Sequence, residues 1–131
     1  VHDLLQEQLG TEAIATTTVR VQSSMRTCTS IVGGTETTEL VEPSGTIQPN
    51  ELQALLQSCD ALQGKASGIC IMGSMPPGCT PQFYAQLYQR ITSPKTLAVL
   101  CVIDTVVGIE PLLQELRGPT IYKVNAHELS S

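Results

Sequence analysis

Three short segments carry residue types that could act on a ligand. The first is Gly73-Ser74-Met75-Pro76-Pro77-Gly78, a serine hydroxyl between glycines in a turn made rigid by two prolines. The second is Asp104-Thr105, where Asp104 reads either as polar support or as an ordinary turn residue. The third holds Lys123, Asn125 and Glu128. Asn125 followed by Glu128 has the spacing of a helix N-cap with an acid at N3, and a helix N-terminus itself attracts anions. Arg26, read by itself, is a solvated side chain on an exposed strand. His2 and His127 stand apart from other ligand types and read as surface residues. The five cysteines, Cys28, Cys59, Cys70, Cys79 and Cys101, form no CxxC or Cys/His cluster, so neither a structural zinc nor a disulfide framework is expected. Cys70 in GICIMG and Cys101 in LAVLCVID read as small hydrophobes within apolar runs. Free thiols point to a reducing, cytoplasmic setting.

The elements that must position these residues fall into two sections. Leu4, Leu5, Leu9 and Gly10 read as the end of a helix. Three Thr- and Val-rich runs follow, Thr17–Gln22, Thr27–Val32 and Thr37–Glu42, with a tight turn at Gly33-Gly34. They predict a small antiparallel meander or flap over residues 17–42. Pro43, Ser44 and Gly45 end it.

From Pro49 the rhythm changes. Leu52, Leu55, Leu56, Cys59 and Leu62 share one helical face. Gly68–Met72 is a short apolar strand. Thr80 is placed to cap a helix that starts at Pro81 and carries Phe83, Leu87, Tyr88 and Ile91 on its apolar side. Leu97–Ile103, seven apolar residues in a row, predicts a strand buried on both faces. Ile109, Leu112, Leu113 and Leu116 mark a helix ended by Gly118-Pro119. Thr120–Val124 is a third strand, and Ala126–Ser131 begins another helix. Alternation at these lengths predicts right-handed βαβ units and a parallel sheet over residues 49–131, so the fold class is α/β with a parallel sheet and a β flap.

In open parallel sheets, ligands bind beyond the carboxyl ends of the strands. The three polar segments follow three strands and therefore gather on one rim. The loops at the other rim, Thr92–Thr96 and Arg117–Pro119, carry no comparable set. This asymmetry locates a site without naming a reaction.

Composition removes several classes. The 131 residues carry 7 Lys+Arg against 12 Asp+Glu, a net charge of −5, which disfavours nucleic-acid binding. One Phe and no Trp leave little for base stacking. No apolar run approaches the roughly 20 residues of a membrane span. The opening VHDLLQEQLG lacks a basic start and a long apolar stretch, so no secretory signal is expected there. A length of 131 residues suits one domain or part of one. An unrelated nucleotide-binding α/β domain is disfavoured, since no G-x-G-x-x-G or P-loop pattern follows any strand.

These residues together resemble the PfkB carbohydrate kinases of the ribokinase-like fold, within them the phosphofructokinases and tagatose-6-phosphate kinases. Gly73–Gly78 with Phe83-Tyr84-Ala85 resembles the family's Gly-Ser-Leu-Pro-Pro-Gly loop and helix. Met25–Thr29 resembles its Thr-Arg strand, and Thr38–Pro43 the strand that follows. Val102–Thr105 resembles its Leu-Asp-Thr, and Lys123–Leu129 its Lys-Pro-Asn-x-x-Glu-Leu. The resemblance runs over nearly the whole chain. It implies a partial three-layer fold and transfer of the terminal phosphoryl group of ATP to a sugar phosphate. By it, Arg26 binds the sugar's phosphate, for which a guanidinium fork is suited. Ser74 and Gly73 meet the sugar, Lys123 and Asn125 face the nucleotide phosphates, and Glu128 helps hold Mg²⁺ through water. It also admits a homodimer paired through the flap.

Met75 stands where the family has Leu, Val124 where it has Pro, and Val106-Val107 interrupt its Ser-Gly. The family's sugar-binding Asp and Gly-Gly-Asn elements have no counterpart before Val1. Its Gly-Ala-Gly-Asp element, with the general-base Asp and the anion hole, has none after Ser131. The chain therefore corresponds to the middle of such a kinase. Alone, it is expected to be inactive, and marginal or aggregation-prone because sheet faces lie open. The competing expectation is a non-catalytic remnant that binds a sugar phosphate or a partner.

Overall fold

The structure, a computed structural model, describes residues 2–12, 14–92, 99–105 and 107–125. Helix α1 spans His2–Thr11 and runs through Gly10 rather than stopping there. Strands β1 (Cys28–Gly33) and β2 (Glu36–Val41) pair antiparallel, from Cys28 opposite Val41 to Gly33 opposite Glu36. The two-residue connection is Gly34-Thr35, one position later than the Gly33-Gly34 turn expected. Thr17–Gln22 is not a strand, so the flap is a hairpin and not a three-stranded meander. The Thr/Val composition of that run favours β structure, but at Gln22 the backbone N–H donates to a side chain instead of a ladder.

Helix α2 (Pro49–Ser58) continues into a 3₁₀ turn, Cys59–Leu62. Its face is as expected except at its far end, where Leu62 is exposed. Strand β3 is Gly68–Met72, and α3 is Phe83–Ile91. Thr80 and Pro81 lie in a turn ahead of α3, whose N-cap position is Gln82, and the Thr80 carbonyl accepts from the Phe83 N–H at 2.9 Å. Strand β4 is Leu100–Asp104, α4 is Glu110–Glu115 and β5 is Thr120–Tyr122, two residues shorter than the run predicted. The helix start expected over residues 126–131 lies outside the described residues.

The sheet is parallel in the order β3-β4-β5, with Ile69, Cys101 and Thr120 in register, then Cys70, Val102 and Ile121. Crossovers of one hand between successive strands carry their helices to the same face. That face holds the core: Ile69 and Ile71, Cys101 and Ile103, with Leu56, Phe83, Tyr88, Ile91 and Leu112 packed on them. Cys101, Ile103 and Leu112 are fully buried. Arg90 of α3 donates from Nη1 to both carboxylate oxygens of Asp60 in the 3₁₀ turn, at 2.8 and 2.9 Å.

The opposite face differs from expectation. β4 is buried on one side only, since Leu100 is 40% exposed. Met72 and Ile121 are 64% and 55% exposed, and Cys70 is exposed too, not sequestered. The described residues thus form two layers of the three that the resemblance implies. The hairpin is exposed on both sides, with Ile31, Val32, Leu40 and Val41 all open.

Five free thiols report on this arrangement. Cys28 and Cys70 are exposed, Cys59 and Cys101 buried. Burial pushes the Cys79 and Cys101 thiols up, and Cys70 adds to the shift at Cys101, so both hold less thiolate at neutral pH. With a maleimide at pH 7, Cys28 and Cys70 should label first, and Cys101 only on unfolding. Mass spectrometry of timed digests checks this, and protection of Cys70 would contradict an open sheet face.

Candidate functional site

The carboxyl ends of β3 and β4 are joined directly. The Gly73 N–H donates to the Asp104 carbonyl at 3.1 Å, which extends the parallel ladder one residue past β3. Gly73 has φ +88°, a left-handed conformation that turns the chain away and that side chains resist. At the next strand end the Lys123 N–H donates to Ile103 O at 2.9 Å, and Lys123 Nζ reaches Asp104 Oδ2 at 2.9 Å. Asp104 therefore has a partner just past β5 through its side chain and on the Gly73 turn through its backbone.

The proline loop is fixed from the other side. The Ile47 N–H donates to Pro77 O at 2.9 Å. At Gly78, with φ +95°, a Cβ would lie 2.1 Å from the Ile47 carbonyl oxygen, so only glycine allows the two backbones to meet. The loop is thereby seated on the chain that enters α2.

Arg26 comes to this rim from the base of the hairpin. Thr27 and Glu42 close that base: Glu42 N–H donates to Thr27 O at 3.0 Å, and Thr27 N–H to Glu42 Oε2 at 2.8 Å. The adjacent guanidinium spreads over two hydroxyls, with Nη2 donating to Ser74 Oγ and Nη1 to Ser44 Oγ, each at 3.1 Å. Two predicted site residues 48 positions apart thus touch.

The irregular segment before Arg26 is held by Glu51, whose residue exposure is 6%. Its Oε1 accepts from the Gln22 N–H at 2.6 Å and its Oε2 from the Gln48 N–H at 2.8 Å. The second bond is the reach of an N3 acid back to the N-cap backbone, which satisfies an otherwise orphaned donor at the start of α2. Sequence reasoning missed Glu51, although Pro49 followed by an acid at the third helical position was the available signal. It also missed Ser44.

The structure brings together Arg26 with Ser74, Gly73 with Asp104, and Asp104 with Lys123. Asn125 follows β5 and is exposed, and Glu128 lies outside the described residues. A cleft of about 580 Å³ opens beside Arg26, lined by Arg20, Ser23, Ser24, Ser44 and Pro76 among others. A smaller apolar cavity of about 240 Å³ lies among Val19, Val21, Leu52, Met75, Cys79 and Phe83.

Among the described residues, no group of three His, Cys, Asp or Glu could hold a metal, and Asp104 is engaged by Lys123. They do not supply a magnesium cage. Among the described residues no helix is long and apolar enough to cross a membrane. Compared with the profiles of known protein families, the sequence matches none.

Glu51 is the most exacting of these contacts, because its loss leaves two backbone N–H groups without their acceptor. Glu51→Ala should cost about 2–6 kcal/mol in chemical denaturation, at about 1–3 kcal/mol per orphaned donor. Amide exchange at Gln22 should accelerate with it. A loss below about 0.5 kcal/mol, the scale of an ordinary surface change, would remove its anchoring role.

Proposed function

We propose that the chain carries the sugar-phosphate side of a PfkB-like carbohydrate kinase, which moves the γ-phosphoryl group of ATP to a hydroxyl of a sugar phosphate. The observation that carries this reading is the contact of Arg26 with Ser74 at the carboxyl-end rim. A guanidinium that, among the described residues, is engaged by hydroxyls and no carboxylate keeps its charge for an anion, and Ser74 beside it offers a hydroxyl to the same ligand. Lys123, next to Asp104 on that rim, is assigned with Asn125 to the nucleotide phosphates.

In the reaction, a sugar hydroxyl oxygen bonds to the γ-phosphorus while the bond to the ADP oxygen breaks. The hydroxyl proton passes to a base, which this reading assigns to no residue of 1–131. Phosphoryl transfer depends on positioning and on neutralising charge, and Arg26 and Lys123 bring two cations to it. Mg²⁺ is the companion of the nucleotide, and the resemblance assigns Glu128 to it. The reading also includes a cytoplasmic setting and a homodimer paired through the hairpin, which the exposed Ile31, Val32, Leu40 and Val41 support.

One observation favours the second reading, binding without transfer. Among the described residues no carboxylate hydrogen-bonds to Arg26 or Ser74, and Asp104 on the same rim is paired with Lys123.

Calorimetric titration with fructose 6-phosphate should show saturable binding, with fructose held far more weakly. Arg26→Lys keeps the charge but loses the fork, and should weaken the sugar phosphate about tenfold. It should leave ATP affinity unchanged. Equal losses for both ligands, or equal affinity for fructose and its phosphate, would contradict the assignment. Robust phosphoryl transfer by residues 1–131 alone would contradict the placement of the base outside them.

A further inference from the structure

We infer that Arg20 is a second phosphate contact in the cleft beside Arg26, so that a phosphomonoester is gripped between two guanidinium groups. The inference rests on the reading of Arg26 as the sugar-phosphate contact and extends it to a residue that the sequence did not single out.

The charge distribution is the first argument. The chain has seven Lys and Arg and a net charge of −5, yet this one cleft takes two of the seven. Its lining contains no aspartate or glutamate. Of the other described cations, Arg90 pairs with Asp60 and Lys123 with Asp104, whereas Lys65 and Arg117 stand singly on the surface; only this cleft, of those described, gathers two. Among the described residues neither Arg20 nor Arg26 meets a carboxylate, and Arg26 is held by two serine hydroxyls alone. Two like charges on one cleft raise each other's energy, and an anion between them reverses the sign of that interaction.

Placement is the second argument. Arg20 and Arg26 lie on the same irregular segment, on either side of Gln22, whose backbone is pinned by Glu51. Val19 and Val21 line both the cleft and the apolar cavity beneath, whereas Arg20 lines the cleft alone. The neighbours of Arg20 thus anchor the wall from which it stands. The Glu51 carboxylate is buried and turned to the Gln22 and Gln48 amides, so it leaves the charge of the cleft intact.

The chemistry of the lining selects the ligand. Two guanidinium forks and the hydroxyls of Ser23, Ser24 and Ser44 are donors for an oxyanion with several acceptors. A phosphomonoester has three such oxygens and is a dianion above a second pKa of about 6. The pair of arginines favours the dianion, so affinity should fall as pH drops through about 6.

The test is calorimetric titration of the 131-residue chain with fructose 6-phosphate and, separately, inorganic phosphate. Arg20→Gln should weaken both by about tenfold or more, and Arg20→Lys, which keeps charge without the fork, should fall between. Arg20 is exposed, so circular dichroism and the melt should not change. Native affinity in Arg20→Gln, with loss in Arg26→Gln, would overturn the role of Arg20 and leave the reading of Arg26 standing. Weaker inorganic phosphate in Arg20→Gln, with no preference of the native chain for the sugar phosphate, would uphold Arg20 as an anion contact and overturn the kinase reading. A native chain that binds neither ligand would overturn both.

Discussion

The candidate site depends on three strands running the same way. Because β3, β4 and β5 are parallel, their carboxyl ends share one rim, and whatever follows them is brought together without further design. The register makes this concrete. Met72 lies opposite Asp104, so the Gly73 N–H meets the Asp104 carbonyl and the turn departs from a fixed point. Ile103 lies opposite Tyr122, so Lys123 emerges beside Asp104 and pairs with it. An antiparallel β5 would send Lys123 to the far rim and leave Asp104 without that partner.

A parallel sheet supplies only strand ends, and the cleft needs a second wall. That wall is the segment before the hairpin, which has no ladder of its own. It is held by side chains at long range: Glu51 on Gln22, Glu42 on Thr27, and the Arg26 fork on Ser44 and Ser74. Glu51 is the buried member of this set and serves two ends at once, capping α2 and fixing the wall. The same economy leaves surface uncovered. The helices pack on one face of the sheet, while Met72, Leu100 and Ile121 on the other remain open, as does most of the hairpin. Apolar surface left open in this way is either covered by a further layer or partner or is a liability for aggregation.

What the sequence disclosed follows from what is local in it. The alternation of apolar runs with helical periodicity from Pro49 onward is a property of neighbouring residues, and the parallel order and the rim could be read from it. The seven apolar residues from Leu97 to Ile103 misled on burial, because composition does not say how many layers cover a strand; Cys70 misled for the same reason. Thr17–Gln22 had strand propensity but no strand neighbour, and a buried carboxylate 29 residues away took the Gln22 donor. Ser74 was legible as a hydroxyl at a strand's carboxyl end, Arg26 entered through a family likeness, and their contact is long-range geometry that no spacing reveals. Arg20 and Ser44 were illegible on the same ground, whereas the capping role of Glu51 was signalled by its place two residues after Pro49 and only its reach to Gln22 was not.

The central claim is that an anion binds where the parallel rim meets the hairpin base. Amide chemical shifts during titration with fructose 6-phosphate test it most directly. The signals of Arg26, Ser44, Gly73 and Ser74 should move together along one saturation curve, while Gly64, Lys65 and Gly118, at the amino ends of β3 and β5, stay still. Shifts confined to Gly64, Lys65 and Gly118, or none at any ligand concentration, would contradict it.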